Sequence, residues 1–376
     1  MKIKQLSLKN FRNYTDATFE FTNNLNIIVG ANAQGKTSLI EAIYALSTTK
    51  SHRTSKDIQM VRINEEFAKI NATFFHEDED INILLNISKK GKTAKYNQIP
   101  VEKLSAYVGK LKTVFFAPEN LDLIKGAPAI RRQFLNIAIG QMDAYYIHHL
   151  MQYSKILKQR NELLKNFIAN DNNNLMLEVL TEQLMPHSLY IIDKRNWFLS
   201  LLGKFAQVRH ASMSDGQEQL QFVYQSSIKE EKEDAMLAKF SALYAQDQRM
   251  RTTTMGPHRD DFDVLINEMD AHDFASQGQQ RTAVLSIKLA EIDVIHEVTG
   301  IYPVLLLDDV LSELDAQRQQ RLLSQTVTNG QIFITTTSID AIDKKYLKSA
   351  DIFSIEEGNL KDFLCSTLDR KTRMHV

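Results

Sequence analysis

A short apolar run at residues 25–29 leads directly into Gly30-Ala31-Asn32-Ala33-Gln34-Gly35-Lys36-Thr37, and residues 38–47 then follow helical spacing. The octapeptide fits G-x-x-x-x-G-K-[ST], and a strand before it with a helix behind it is the setting in which that pattern has physical meaning. Its glycines let backbone N–H groups wrap around phosphate oxygens, and the helix start adds positive potential. Lys36 is placed to neutralise β- and γ-phosphates, and Thr37 to offer its hydroxyl to Mg2+. With Ser38 next on the helix, residues 30–38 form an expected ATP-binding set on an α/β sheet. The bland alternative is a tight strand-to-helix turn.

Residues 303–309, Pro-Val-Leu-Leu-Leu-Asp-Asp, are a second apolar run, ending in two carboxylates. A P-loop ATPase needs a carboxylate on the neighbouring strand to hold Mg2+, a role that suits Asp308. Asp309 is then placed to orient or activate the attacking water, so Lys36, Asp308 and Asp309 are the candidate catalytic residues. About 270 residues separate Lys36 from Asp308, longer than a typical domain. If both groups reach one metal, the chain between them leaves the sheet and returns.

The texture of the chain supports such an excursion. Alternating apolar residues at 68–74 and 81–87 flank the charged stretch His76-Glu77-Asp78-Glu79-Asp80 and predict a hairpin. From Gly126 to about residue 250 the spacing turns helical with few breakers, and strand patterns return after Gly256-Pro257. The expected organisation is a head part at 1–125, a helical lobe at 126–250 and a returning head part at 251–376. A composition of 43% hydrophobic and 24% charged residues is ordinary for a soluble protein, and no apolar run reaches membrane-spanning length. The single cysteine, Cys365, allows no internal disulfide and no cysteine zinc site, which fits a reducing cytoplasm. Residues 1–132 carry 20 Lys and Arg against 13 Asp and Glu, whereas the whole chain has a net charge of −1. The basic part suggests one anion-seeking face, with surface scatter as the alternative.

Shortly before the acidic strand, Ser276-Gln277-Gly278-Gln279 opens a helix, and a serine and a glycine at a helix start make a good phosphate cap. The phosphate loop already surrounds its own chain's phosphates, so this segment is expected to serve the nucleotide of a second copy. After the acidic strand, Ser312-Glu313-Leu314-Asp315 turns into another helix. Loop, S-x-G-Q segment, acidic strand and S-x-L-D turn together resemble the ABC-type ATPases. Asn10-Phe11-Arg12 near the start is similar to the SMC-like branch that handles DNA. The phosphate loop, Ser51-His52-Arg53-Thr54, Ala117-Pro118-Glu119-Asn120-Leu121, Arg131-Arg132, Gly256-Pro257-His258-Arg259-Asp260-Asp261 and residues 307–315 resemble the RecF family, in order and over nearly the whole chain.

The resemblance implies an ABC-type ATPase head with an inserted helical lobe and an ATP-dependent homodimer on DNA, its Ser276–Gln279 segments acting in trans. It implies Ser312 and Asp315 as the D-loop and Thr336 at the switch position. It also implies recombinational repair of single-strand gaps, help in loading RecA with RecO and RecR, and roles in replication and the damage response. Three departures from the wider ABC pattern predict slow hydrolysis. Gln277 stands where many carry glycine, Asp309 where glutamate is commoner, and Thr336 where many carry a histidine. Threonine can hydrogen-bond a γ-phosphate but is a poor general base.

Arg12 is a further candidate for the nucleotide, and Arg53, Lys56, Lys90 and Lys92 are candidate DNA contacts; the alternative for each is a solvated surface cation. His258 is read as either bridging the lobes or touching DNA. The rival functions are the ATPase subunit of a membrane transporter and a small-molecule phosphotransferase. The long insertion and the Asn10-Phe11-Arg12 opening speak against the first, and the S-x-G-Q segment has no job in the second.

Overall fold

The computed structural model describes residues 1–168, 171–228, 233–326, 330–340 and 342–365. The chain forms two compact units, Met1–Asn120 with Glu291–Val376, and Leu121–Ala290. The first boundary falls near the expected one, but the second lies at 290/291 rather than 250/251.

The first unit holds two six-stranded sheets. One is antiparallel, in the order β2-β1-β4-β5-β6-β7, from β1 (Lys2–Phe11), β2 (Tyr14–Glu20), β4 (Phe67–His76), β5 (Glu79–Ser88), β6 (Gly91–Tyr96) and β7 (Ile99–Pro100). Its β4–β5 hairpin alternates buried and exposed residues, as one covered face demands. Glu77 and Asp78, both at positive φ, form the two-residue turn between His76 and Glu79.

The other sheet runs β15-β14-β3-β13-β12-β8, from β3 (Leu25–Val29), β8 (Thr113–Phe116), β12 (Val304–Asp308), β13 (Ile332–Thr336), β14 (Ala350–Glu356) and β15 (Asn359–Cys365). All its pairings are parallel except β14 with β15. Every residue of β12 and β13 is buried, the burial expected of strands covered on both faces. The acidic strand β12 is not the neighbour of β3, as the sequence reading expected, because β13 lies between them. The helix Lys36–Thr48 touches β4 and β5 of one sheet and β12 and β13 of the other, and all its residues but Thr37 are buried. A helix covered on every side has no solvent face to pattern, which is why its sequence is apolar almost all round.

The second unit is mainly helical, with helices Pro128–Gly140, Ala144–Lys165 and the 43-residue Asp171–Met213. Arg160, fully buried, ties the second of these helices to the third through Thr181, and to Thr253 and Asp247, the last by an ion pair at 2.7 Å. The unit also contains a small antiparallel sheet, β11-β10-β9, made of β9 (Leu220–Gln225), β10 (Asp261–Ile266) and β11 (Met269–Asp270). The pairing of β10 with β9 keeps residues beyond 250 in this unit and moves the boundary. The segment Ser276–Gln279, expected in the returning head part, therefore belongs to the second unit.

Candidate nucleotide site

The loop at residues 30–37 is held from both flanks within the first unit. Asn13 Nδ2 donates to Gln34 O at 3.1 Å and Tyr14 Oη to Gly35 O at 3.0 Å. On the other flank, Glu357 N donates to Gln34 Oε1 at 2.6 Å and Gly358 N to Gln34 O at 2.9 Å. Gly35 sits at φ +117°, and a Cβ there would lie 2.6 Å from Asn13 Nδ2. Only glycine takes this backbone without strain. Gly35 is also the N-cap of helix Lys36–Thr48, and no side chain caps it, which leaves the helix start to bind an anion.

Lys36 Nζ donates to Gly30 O at 2.6 Å and Ala31 O at 2.9 Å. Burial lowers its pKa, and the carboxylates of Asp309 and Asp308 oppose that shift. Thr37 Oγ1 donates to Asp308 Oδ1 at 3.0 Å, so the helix start and the acidic strand meet although their strands are not adjacent. The intervening β13 supplies the bridge. Thr335 Oγ1 donates to the same Oδ1 at 2.6 Å and accepts from Asp309 N at 2.9 Å. Burial raises the pKa of Asp308; hydrogen bonds from Thr335 and Thr37 pull it back, and Glu119 and Asp309 push it up again. Asp309 is held at φ +52°, a strained conformation for a residue with a side chain.

A cleft of about 1000 Å3 is lined by Asn32, Ala33, Gly35, Lys36, Thr37 and Ser38, together with Asp309 and Thr335. Thr336, the expected switch residue, instead donates its hydroxyl to Ser338 O at 2.8 Å. Thr335, one residue earlier, is the threonine that lines the cleft and bonds Asp308. Ser312 Oγ donates to Asp309 O at 2.7 Å, and Asp315 caps the helix Ala316–Thr326 by accepting from Arg318 N at 2.9 Å.

In the second unit, Ser276 N donates to Gln279 Oε1 at 2.8 Å and Gln279 N to Ser276 Oγ at 3.3 Å. This reciprocal capping box shapes the start of helix Gln277–Thr299. Ser276 and Gln277 are exposed, and nothing lies within 4 Å of a Cβ placed on Gly278, so the backbone at this helix tip is open to approach.

A profile described as the RecF/RecN/SMC N terminal domain matches residues 2–359. The DNA replication and repair protein RecF of Bacillus velezensis is 46% identical over 368 residues, covering 96% of this chain and all of that protein. The chain belongs to the RecF family. A solved recombination mediator protein RecF, described with ATP and in the RecFOR pathway, superposes on this RecF-family chain with a TM-score of 0.86. It is 34% identical and covers 97% of this chain and 98% of its own. An Smc head domain from Pyrococcus furiosus, 16% identical with a TM-score of 0.56 over 97% of this chain, shares the fold.

The remaining candidates divide. Arg12 and Arg53 both line the cleft, but Arg12 is held by Glu41 through Nε at 2.8 Å and Nη2 at 2.5 Å, and by Gln59 O at 2.7 Å. Arg53 lies 3.6 Å from the same carboxylate, and Ser51 Oγ donates to it as well. Glu41 is fully buried and organises this rim. It escaped the sequence reading, although a lone carboxylate inside an apolar helix was the available signal. Lys56 and Lys90 are exposed. Lys92, with 13% side-chain exposure, is engaged by Asp57 at 2.8 Å and Thr49 O at 2.7 Å, which makes it a clamp between β6 and the loop before β4. Among the described residues no helix is long and apolar enough to cross a membrane.

Proposed function

We propose that this chain is an ATP-switched DNA-binding protein of recombinational repair, working as a homodimer that closes over ATP. The observation that carries the reading is the network joining Thr37, Asp308 and Thr335, beside Lys36, at a phosphate loop already fastened on both sides. The backbone of residues 30–38 and Lys36 hold the triphosphate, taking over the contacts that Lys36 makes with Gly30 O and Ala31 O. The hard oxygens of Thr37 and Asp308, 3.0 Å apart, suit Mg2+, which when bound supplies charge neutralisation at the β- and γ-phosphates. Asp309 positions the attacking water, and its backbone is held by Thr335.

The open helix tip at Ser276–Gln279 of one protomer caps the nucleotide of its partner, with Ser312 and Asp315 at the D-loop. Asp309 in place of a longer glutamate, and a threonine in place of a histidine, make hydrolysis slow and the enzyme a timed switch. The relatives named for DNA replication and repair, and the RecF described in the RecFOR pathway, support work in replication and repair with RecO and RecR; action at single-strand gaps, assistance to RecA and a part in the damage response in the cytoplasm belong to the same proposal. Those relatives leave a transporter subunit without support. Sedimentation of Asp309→Asn with ATP, with and without gapped DNA, tests the reading. A nucleotide-dependent dimer that clings to DNA is expected, and a monomer under all conditions refutes it.

A further inference from the structure

The turn Gly256-Pro257-His258-Arg259-Asp260-Asp261 takes no part in the nucleotide cleft, yet it is fastened residue by residue within the second unit. Gly256 lies at φ +130°, and a Cβ there would meet Tyr153 Oη at 2.5 Å. Arg195 Nη1 donates to Pro257 O at 2.7 Å, and Arg132 Nη1 to Asp260 O at 2.9 Å. The buried carboxylate of Asp260 accepts from Tyr224 Oη at 2.7 Å and from Ser227 N and Oγ, each at 2.8 Å. Arg131 grips Asp261 through both oxygens, at 2.7 and 2.6 Å. His258 is consumed internally, its Nδ1 meeting Tyr153 Oη and its Nε2 facing Thr253 O at 3.1 Å. Arg259 is the exposed member, tied back by one long hydrogen bond of 3.4 Å to Thr253 O.

The carboxylates around this turn are unevenly placed. Arg131 pairs with Asp261, and Asp263 and Asp270 also act on it, whereas Arg132 donates to the backbone oxygen of Asp260 and Arg195 and Arg259 donate to neutral oxygens. Among the described residues no carboxylate lies within 4.0 Å of the guanidinium groups of Arg132, Arg195 and Arg259. Arg195, only 2% exposed, bonds neutral partners alone: Tyr146 Oη, Asn136 Oδ1, Tyr224 Oη and Pro257 O. Burial and the neighbouring charge of Arg195 lower the pKa of Arg132, with Arg259 adding to this and the carboxylates of Asp261 and Asp260 opposing it, so the cations feel one another. A buried cation without a counter-ion is costly, and its field reaches the surface where Arg259 stands.

We propose that this turn is a phosphate-binding platform for a nucleic-acid backbone, with Arg259 making the contact, Arg132 flanking it and Arg195 raising the potential from behind. The contact point is exposed rather than enclosed, which fits the phosphates of a polymer passing over a surface rather than a small captured anion. The rigid turn holds Arg259 in place beforehand, so less order is lost on binding. The assignment rests on the nucleic-acid-binding reading above.

The test uses the full chain with ATP and a fluorescently labelled gapped duplex, titrated across a series of NaCl concentrations. Arg259 is exposed and weakly tied, so Arg259→Gln should keep the melting temperature and the ATP affinity of the unaltered protein. Its DNA affinity should fall about three- to tenfold, and the slope of log K against log salt should become shallower by about 0.9, the signature of one lost phosphate contact. Arg259→Glu should weaken binding further. Unchanged affinity and slope in both variants overturn the platform. If the unaltered chain itself binds no DNA with ATP, the nucleic-acid reading fails at that point, before any variant is compared, and the platform falls with it.

Discussion

Thr335→Val isolates the hydroxyl that links the two acidic residues to β13. The side chain is fully buried, and valine keeps its branched shape while a methyl group takes the place of the hydroxyl. That oxygen donates to the Asp308 carboxylate at 2.6 Å and accepts from Asp309 N at 2.9 Å. A hydrogen bond to a charged group is worth about 1.5–3 kcal/mol and a neutral one about 1 kcal/mol, so the loss should reach about 2.5–4 kcal/mol. Asp308, whose pKa burial already raises, would keep Thr37 as its one side-chain donor and be driven further toward its neutral form. A carboxyl that is less charged holds a metal less well, and a deficit of about 1.4 kcal/mol in the bound state would lower ATP affinity about tenfold. Thr336→Val is the matched control, because it removes the bond donated to Ser338 O at 2.8 Å and the longer one accepted from Ser338 N at 3.3 Å, and should cost about 1–2 kcal/mol with ATP affinity intact. Urea midpoints at equal slope and titration with a fluorescent ATP analogue measure both effects. If the two variants behave alike, or Thr336→Val is the more damaging for ATP, the assignment of Thr335 is wrong.

Further outcomes follow from the same contacts. Gly35→Ala should cost about 1–3 kcal/mol through its positive φ and its clash with Asn13, and ATP should no longer raise the melting temperature. Glu41→Ala leaves Arg12 without its ion-pair partner and should destabilise by about 3–5 kcal/mol, whereas Glu41→Gln should recover part of this in a chemical-denaturation comparison. His258 is pushed down to about 4 from 6.5, first by burial, so the unfolded chain binds more protons between those values. Its contribution, about 3 kcal/mol, is therefore intact above pH 6.5 and lost as pH falls toward 4, and His258→Gln should flatten that part of the stability–pH curve.

The phosphate loop and the acidic strand were legible because each is a local pattern whose chemistry depends on adjacent residues. The position of β13 between them was not, since strand order is set by long-range pairing that no local spacing records. For the same reason Thr335 and Thr336 were indistinguishable in sequence: consecutive strand residues point to opposite faces, and only the finished sheet shows which face meets Asp308. The helical excursion was visible from its periodicity. Its true end at Ala290 was hidden because β10 pairs with β9, a six-residue strand in a region whose helical spacing had faded. Lys92 looked like one of a cluster of solvated lysines until the fold brought Asp57 to it from 35 residues away.

Composite closure of the ATP site is tested most directly by placing cysteines at Asn32 and Gln277 in one chain that also carries Cys365→Ser, then adding a short bifunctional thiol reagent. With ATP, the expected product is a covalent species of twice the 43.1 kDa chain mass, absent without nucleotide. A cross-link formed with ATP inside single chains, leaving the mass at that of one chain, would contradict a nucleotide shared between two copies.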